Sequence, residues 1–213
     1  MHNIMISNNS KNFTIALVFN FALAIVLFLT SYVYGRATIF LWCNHDLGII
    51  GDTIFNFCSH LAEGWIWIPY FIILYWGYKK DAIFILLNFI ISTLLTQIPK
   101  NFLWAKVSRP MASGIPHDQI HTVKGVDIHL WNSFPSGHSA TAFTLFLLTV
   151  YLFPKKPVLI IGAIYAIACG YSRVYLGQHF PLDVAGGITV AIFTLLLSIY
   201  IRIKNETTHT TIN

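Results

Sequence analysis

From residue 100 onward, several short segments carry cationic, hydroxyl, imidazole and carboxylate side chains that could act together on an anion. They are Lys100, Arg109, Pro135-Ser136-Gly137-His138, Ser172-Arg173, His179 and Asp183. Guanidinium forks match the paired oxygens of a phosphoryl group, and an ammonium group adds a further positive charge. These residue types therefore predict a site for a phosphoryl group rather than for a neutral ligand.

The segment from Pro135 to His138 predicts the beginning of a helix that could hold the phosphoryl oxygens. Proline suits the first turn of a helix, so Ser136 and Gly137 would present backbone N–H groups at a helix N-terminus, where phosphate binds readily. Glycine lets the anion approach closely, and the Ser136 hydroxyl adds a donor. This pattern is typical of an oxyanion cradle whose donors are in place before charge develops.

Two histidines beside such a cradle predict phosphoryl transfer through a covalent intermediate. Asp183 follows His179 by four residues, so its carboxylate can hold one ring nitrogen and leave the other as the nucleophile. We expect His179 to attack phosphorus, and His138 to protonate the departing oxygen and later activate water. Since the cationic side chains would neutralise the phosphoryl oxygens, neither a metal ion nor a cofactor is expected.

The elements that must position these residues are membrane helices. Of 213 residues, 56% are hydrophobic and 10% charged, and the mean hydropathy is +0.66, whereas a soluble domain carries about a quarter charged residues. Apolar runs without alternation predict an all-α, integral membrane six-helix bundle that forms one domain over residues 1–213. The six spans are Phe13–Tyr34, Ile54–Tyr78, Ala82–Pro99, Gly137–Phe153, Val158–Tyr171 and Val184–Ile201. A secreted disulfide scaffold, a disordered chain and a nucleic-acid partner are excluded.

The distribution of basic residues predicts the orientation, because short cytoplasmic loops accumulate Lys and Arg. With both termini in the cytoplasm, that side collects Lys11, Lys79, Lys80, Lys155, Lys156, Arg202 and Lys204. The end of the third span, the beginning of the fourth, the end of the fifth and the beginning of the sixth then share the outer face. The phosphate-site residues stand at these four places, so we expect them to converge on one rim.

These motifs resemble those of the type 2 phosphatidic acid phosphatase superfamily, which also includes bacterial acid phosphatases and vanadium haloperoxidases. The resemblance rests on Pro135-Ser136-Gly137-His138 and on Ser172-Arg173 with His179 and Asp183, and it covers roughly Thr96 to Ile201. It implies a six-span helical fold in the bacterial inner membrane with an active site that faces the periplasm. The site residues that it implies are a nucleophile at His179, an acid at His138 and phosphate contacts at Arg109, Ser136, Gly137 and Arg173.

The resemblance also implies a substrate, namely a phosphorylated membrane lipid that stays in the bilayer. Undecaprenyl diphosphate and lipid A lead the candidates, with phosphatidic acid and phosphatidylglycerol phosphate beside them. A phosphotransferase that passes the phosphoryl group to a second lipid, or a non-catalytic lipid transporter, could use the same site. Transporters usually carry a repeat and a midplane site, and this sequence has no visible repeat, so an enzyme is favoured. The oligomeric state is not predicted.

The lysine of the phosphate site has two candidates. The family places a lysine seven residues before the arginine, but here Phe102 occupies that position. Lys100 stands nine residues before Arg109, and nine residues of α-helix end on nearly the opposite face. We favour Lys100 because it ends the third apolar run, which requires the chain to leave the α-helix there. Lys106 is the alternative.

Ionisable residues elsewhere stay outside the catalytic set. His60 and Glu63, three residues apart within the second span, either face a cavity under the site or satisfy each other as a structural pair. Asp52 is a weaker candidate of the same kind. The loop residues His117, His121, Asp127 and His129 could imitate a metal site by their spacing, but a solvated loop is the favoured interpretation.

Overall fold

The computed structural model describes the backbone of residues 6–211 and the side chains of residues 11–207, and all regular structure in that part is helical. Its α-helices are α1 Ile6–Tyr34, α2 Arg36–Cys43, α3 Gly48–His60, α4 Trp67–Gly77, α5 Ala82–Ile98, α6 Gly137–Leu152, α7 Lys156–Tyr175 and α8 Pro181–Thr211. Short 3-10 turns lie at Gly64–Ile66, Lys79–Asp81, Pro110–Ala112 and His117–Gln119, and a π-helical turn at Pro99–Leu103 continues α5. The all-α prediction is confirmed.

Several helices have the length and hydropathy of membrane spans. Among the described residues, four segments qualify on their own: Lys11–Tyr34, Lys79–Leu103, Lys156–Tyr175 and Pro181–Thr207. The α3–α4 pair qualifies as a fifth, bent by 57°, while α6 has only 16 residues. The chain is therefore a multi-pass membrane protein, and six crossing helices remain a prediction.

The second predicted span, Ile54–Tyr78, differs from a single straight helix. The α3 helix ends at His60, and α4 begins only at Trp67 after the Gly64–Ile66 turn. Pro69 lies in the first turn of α4, and it has no N–H to donate to a carbonyl four residues earlier. An α-helix therefore cannot continue unbroken through this segment, and the chain bends there.

The α6 helix lies in the centre of the bundle and contacts α1, α5, α7 and α8. Its apolar residues are spread around its circumference, and most of its residues are buried, as expected for an interior helix. Because its neighbours surround it, the site residues at its N-terminus are held within the protein rather than at a lipid-facing edge.

A close contact between α6 and α8 fixes the first turn of α6. A Cβ atom on Gly187 would lie 2.6 Å from the carbonyl oxygen of Ser136 and 2.7 Å from the Cβ of Ser139. Only glycine allows two helix backbones to approach so closely. The two helices that carry His138 and Asp183 are thereby set at a fixed separation.

Candidate active site

Most of the predicted site residues line one cavity of about 450 Å³. Six of the eight predicted residues belong to its lining: Lys100, Arg109, Gly137, His138, Arg173 and His179. The other two, Ser136 and Asp183, are buried next to residues of that lining. Segments far apart in the sequence are thus brought together as the motif spacing predicts.

His179 stands in the connection between α7 and α8, where it is almost completely buried. Its backbone N–H donates to the carbonyl of Arg173 at 3.0 Å, which ties the histidine to the end of α7. Its Nδ1 lies 3.4 Å from Asp183 Oδ2. With the described residues, its Nε2 makes no hydrogen bond, so this nitrogen is available to a ligand in the cavity.

The electrostatic surroundings of His179 favour its neutral form. Burial, followed by the positive charges of Arg109 and Lys100, lowers the pKa of His179 well below 6.5. Burial disfavours a charged imidazole, and nearby cations disfavour it further. The unprotonated ring nitrogen that a nucleophile requires is therefore present at neutral pH.

Asp183 is held by a serine that the motif analysis did not include among the site residues. The hydroxyl of Ser133 donates to Asp183 Oδ2 at 2.5 Å and lies 3.5 Å from His179 Nδ1. The backbone N–H of Phe180 donates to the same carboxylate oxygen at 2.9 Å. Ser133 is completely buried, so it orients the carboxylate and the imidazole together. Its position in Asn132-Ser133-Phe134, directly before the helix-start motif, was the signal that could have identified it.

His138 occupies the first turn of α6 and lines the cavity together with His179. With the described residues, its ring makes no hydrogen bond. Both of its nitrogens are therefore available to substrate or water, which is the condition for a general acid and base.

Arg109 is fixed in the cavity wall by backbone and side-chain acceptors. Its Nε donates to the carbonyl of Trp131 at 3.0 Å, and one terminal nitrogen donates to Oε1 of Gln178 at 3.2 Å. Gln178 is itself anchored, because its amide donates to the carbonyl of Asp127 at 2.9 Å. Burial lowers the pKa of Arg109, and the Asp183 carboxylate opposes that shift. Gln178 was missed from the sequence because no spacing rule links it to Arg109.

Arg173 in the last turn of α7 is nearly completely buried. One of its terminal nitrogens donates to the hydroxyl of Ser59 at the end of α3. Its Nε is buried without a hydrogen-bond partner among the described residues. A buried guanidinium with an unused donor is well suited to an anionic ligand. Ser59 is a further residue that sequence reasoning did not assign to the site.

The helix-start motif has a different arrangement from the expected one. Ser136 is the N-cap of α6, so Pro135 precedes the helix instead of occupying its first turn. The Ser136 hydroxyl accepts from the backbone N–H of Ser139 at 3.3 Å, and its own N–H donates to the carbonyl of Asp183 at 2.9 Å. Gly137 lines the cavity, and Ser136 supports the turn from behind it. Direct phosphate contact by Ser136 stays a prediction.

Of the two candidate lysines, only Lys100 lies at the cavity. It belongs to the π-helical turn, which the backbone N–H of Trp104 closes by donating to the carbonyl of Pro99 at 2.8 Å. The wider turn changes the helical register, which accounts for a lysine nine residues before the arginine. Lys106 is exposed in the following loop, with φ of 72°.

His60 and Glu63 pair with each other. His60 Nδ1 lies 2.6 Å from Glu63 Oε1, and the indole N–H of Trp65 donates to Glu63 Oε2 at 3.0 Å. Neither residue of the pair lines the cavity. This geometry agrees with the structural alternative for the two residues.

The loop residues that could have imitated a metal site are dispersed. His117 Nε2 contacts the carbonyl of Met111 at 3.0 Å, and His129 lines the cavity. His121 instead contacts Asp52, Nε2 to Oδ1, at 3.0 Å. In the described part of the chain, His121, Asp52 and Asp46 are the one group of three potential metal ligands, within 4.8 Å of one another. None of these three lines the cavity.

Comparison with characterised proteins identifies lipid phosphatases as relatives. The chain is 31% identical over 153 residues to phosphatidylglycerophosphatase B of Bacillus subtilis (strain 168), covering 65% of this chain and 69% of that protein. It is 31% identical over 148 residues to an undecaprenyl-diphosphatase of Sulfolobus acidocaldarius, covering 68% of each. The crystal structure of Aquifex aeolicus LpxE matches with a TM-score of 0.66 at 29% identity, over 76% of this chain and 93% of that one.

The model of the PAP2 superfamily matches residues 81–206, more than half of the chain. The matched range includes every predicted residue of the candidate active site. The resemblance inferred from the motifs is confirmed. The chain therefore belongs to the PAP2 superfamily, within the group of its membrane lipid phosphatases.

Proposed function

We propose that the chain hydrolyses a lipid phosphomonoester or diphosphate through a phosphohistidine formed on His179. The observation that carries this proposal is the shared cavity of His138 and His179, which Lys100, Arg109 and Arg173 also line. Two imidazoles and three cations around one space supply the acid–base groups and the charge stabilisation that phosphoryl transfer requires.

The reaction has two steps. In the first, the Nε2 lone pair of His179 forms a bond to phosphorus, and the bond from phosphorus to the leaving oxygen breaks; this is the alcohol oxygen of a phosphomonoester or the bridging oxygen of a diphosphate. Protonated His138 gives that oxygen its proton. In the second, neutral His138 accepts a proton from water, the water oxygen bonds to phosphorus, and the nitrogen–phosphorus bond breaks. Inorganic phosphate leaves, and both histidines return to their starting forms. Asp183 orients His179 throughout.

The chemistry that we propose needs no metal ion. Lys100, Arg109 and Arg173 would neutralise the phosphoryl oxygens, and Gly137 at the N-terminus of α6 would add a backbone donor. Binding of the anionic group would also offset the surrounding positive charge and so favour protonation of His138 before the first step.

Phosphate release from purified protein in detergent tests the proposal. The substrates are undecaprenyl diphosphate, lipid A, phosphatidic acid and phosphatidylglycerol phosphate. We expect release from at least one of them, inhibition by vanadate, and no effect of EDTA. His179→Ala should lower kcat by at least about a thousandfold, as loss of a nucleophile does, whereas His117→Ala in the loop should not. Release from none of the four, or a fully active His179→Ala, would show that the assignment is wrong.

A second candidate function uses the same phosphohistidine but transfers the phosphoryl group to another lipid. A labelled lipid diphosphate mixed with an acceptor lipid separates the two, because hydrolysis places the label in inorganic phosphate and transfer places it in the acceptor. A non-catalytic lipid transporter would move the label into neither.

We also infer a single membrane-embedded domain over residues 1–213 in the bacterial inner membrane. Both termini would lie in the cytoplasm and the cavity would face the periplasm. The basic residues of the predicted cytoplasmic loops support this orientation.

A further inference from the structure

One face of α5 and its π-helical turn lines the cavity with side chains of graded polarity. From the deep end upward, these are Phe89, Ser92, Thr93, Thr96, Gln97 and Lys100. Their spacing of three and four residues places them on one helical face. At about 1.5 Å per residue, the hydroxyl groups begin about one turn below the lysine, and the aromatic ring follows beneath them.

Three of the hydroxyl groups at this cavity have no hydrogen-bond partner among the described residues. Several threonines in the other helices donate to the carbonyl four residues earlier, as Thr30 does to Val26 at 2.7 Å and Thr189 to Ala185 at 2.9 Å, although Thr194 on α8 is buried without a hydrogen-bond partner among the described residues. Within the described part of the chain, Thr93, Thr96 and Thr141 make no such bond and no other. These hydroxyls are therefore not used to support helix structure.

Two of these unpartnered threonines are deeply buried while still lining the cavity. Thr96 on α5 is 3% exposed, and Thr141 on α6 is 9% exposed. Among the described residues, neither Oγ1 belongs to the fully enclosed side-chain atoms that lack a partner, so both hydroxyls stay accessible to a ligand or water, which they can meet in the cavity that their residues line. Ser92, which is also buried, lies beside them and contacts Thr144, Oγ to Oγ1, at 3.4 Å.

We propose that Thr96 and Thr141, with Thr93 and Ser92, form a subsite for oxygen atoms of the lipid next to its phosphate. The inference rests on the proposed phosphatase function and narrows its substrate class. The ligand is a lipid with ester or hydroxyl oxygens a few bonds from phosphorus, as in an acylated glycerol phosphate or an acylated sugar phosphate. A polyprenyl monophosphate has only hydrocarbon at that place, whereas a polyprenyl diphosphate has its second phosphate group there and is not discriminated against by this subsite.

The order of side chains along the cavity supports this choice. Lys100, Arg109 and Arg173 would surround the phosphate. Along α5 the threonine hydroxyls come next and Phe89 follows, and the Trp67 ring packs against Phe89 with 5.6 Å between ring centroids. Phosphate, ester or sugar oxygens and acyl chain follow one another in the same order in the proposed substrates. A polyprenyl chain in this position would leave the hydroxyls unpaired, and such a mismatch is a strong source of discrimination.

Isosteric variants can test the subsite. Thr96→Val and Thr141→Val remove one hydroxyl each with little change of shape, and Thr189→Val is the matched control because its hydroxyl bonds to its own helix. The kcat/KM of purified full-length protein is measured in mixed micelles for phosphatidic acid, lipid A, a polyprenyl phosphate and hexadecyl phosphate. Phosphatidic acid and lipid A both have oxygens near the phosphate, from acylated glycerol in the first and from acylated sugar in the second. The polyprenyl phosphate and hexadecyl phosphate have hydrocarbon there.

We expect the wild type to prefer phosphatidic acid or lipid A to both oxygen-free lipids. Each cavity variant should lower that preference by about threefold to tenfold, the effect of one hydrogen bond, while Thr189→Val leaves it unchanged. Thr96→Ser and Thr141→Ser keep the hydroxyl and should keep the preference, which separates the hydrogen bond from a folding effect. The lipid whose kcat/KM falls in the Thr→Val variants, phosphatidic acid or lipid A, shows whether the subsite binds oxygens of an acylated glycerol or of an acylated sugar.

The inference and the proposed function fail in different ways. Efficient hydrolysis of polyprenyl or hexadecyl phosphate, with preference ratios that the Thr→Val variants do not change, would overturn the subsite and leave the phosphatase intact. No phosphate release from any of these four lipids, nor from undecaprenyl diphosphate or phosphatidylglycerol phosphate, would overturn the phosphatase and the subsite with it.

Discussion

At the scale of single residues, the buried His179 links the chemistry to the stability of the fold. The imidazole must be neutral to attack phosphorus, and its burial among cations keeps it so by lowering its pKa well below 6.5. In an unfolded chain the same side chain would titrate near 6.5. The proton that the folded protein excludes is therefore taken up when the protein unfolds in acid.

We expect the free energy of unfolding to decrease as the pH falls below 6.5, the ordinary pKa of histidine. Below that value the unfolded state binds more protons than the folded state, so acid favours unfolding. Thermal unfolding in detergent between about pH 7 and about pH 5 measures the effect. His179→Asn cannot take up the proton and should lose less stability over this interval. An equal loss in wild type and variant would contradict the prediction.

Ser133 is expected to contribute to catalysis by orienting Asp183. Ser133→Ala removes the hydroxyl that donates to Asp183 Oδ2, so the carboxylate and His179 lose a shared constraint. We expect kcat to fall about tenfold or more, the weight of a hydrogen bond to a charged group, with little change in KM. The control is Ser113→Ala, which removes a hydroxyl that donates only to the carbonyl of Pro110. A parallel rise in KM would instead indicate a role in substrate binding.

The supporting residues were harder to predict than the residues of the motifs. His138, Arg173 and His179 carry recognisable spacing, whereas Ser59, Ser133 and Gln178 act through partners 114, 50 and 69 residues away in the chain. Serine and glutamine are common residues whose positions follow no periodic rule. Only the folded arrangement identifies which of them contact the site.

At the scale of elements, apolar runs predicted the helices well because each span must satisfy its own backbone. The bend between α3 and α4 was not predicted, and after α5 only a departure from the α-helix at Lys100 was predicted, without the π-helical turn that produces it. Pro69 and Pro99 mark these two places in the sequence. A proline predicts that a helix bends or ends, but it does not predict the angle of the bend or the type of turn. The turn after α5 matters most, because the chain leaves the α-helix between Lys100 and Arg109, so their nine-residue spacing no longer places them on opposite faces of one helix.

The contact of α8 with the first turn of α6 predicts a strong effect of a single methyl group. Gly187→Ala would place a Cβ 2.6 Å from the carbonyl oxygen of Ser136, so the helices must separate. We expect a loss of about 1–3 kcal/mol in unfolding free energy, typical of overpacking, together with reduced activity. Gly77→Ala, where an added Cβ meets nothing within 4 Å, is the control. The unfolding temperature measures the change in stability, and phosphate release measures the change in activity. A Gly187→Ala variant with the stability and activity of the wild type would contradict the close contact.

At the scale of the whole molecule, the proposed orientation predicts which loops face the outside of the cell. Lys124 and Lys155 are both exposed in loops that the orientation assigns to opposite sides. In a background with Cys43, Cys58 and Cys169 replaced by alanine, a membrane-impermeant thiol reagent should label Lys124→Cys in intact cells. Lys155→Cys should be labelled only after permeabilisation. The reverse pattern would mean that the cavity faces the cytoplasm.

The bend between α3 and α4 has a consequence for how this protein can vary. Ser59, just before the bend, holds Arg173, while Ala62 and Gly64 within it and Trp67 after it form part of the cavity wall. A substitution that reshapes the bend to admit a different lipid also shifts the hydroxyl of Ser59, which accepts a hydrogen bond from the guanidinium of Arg173. Affinity for the anion and tolerance of the lipid body therefore cannot be adjusted independently here, and a change of substrate would require compensating substitutions on α7.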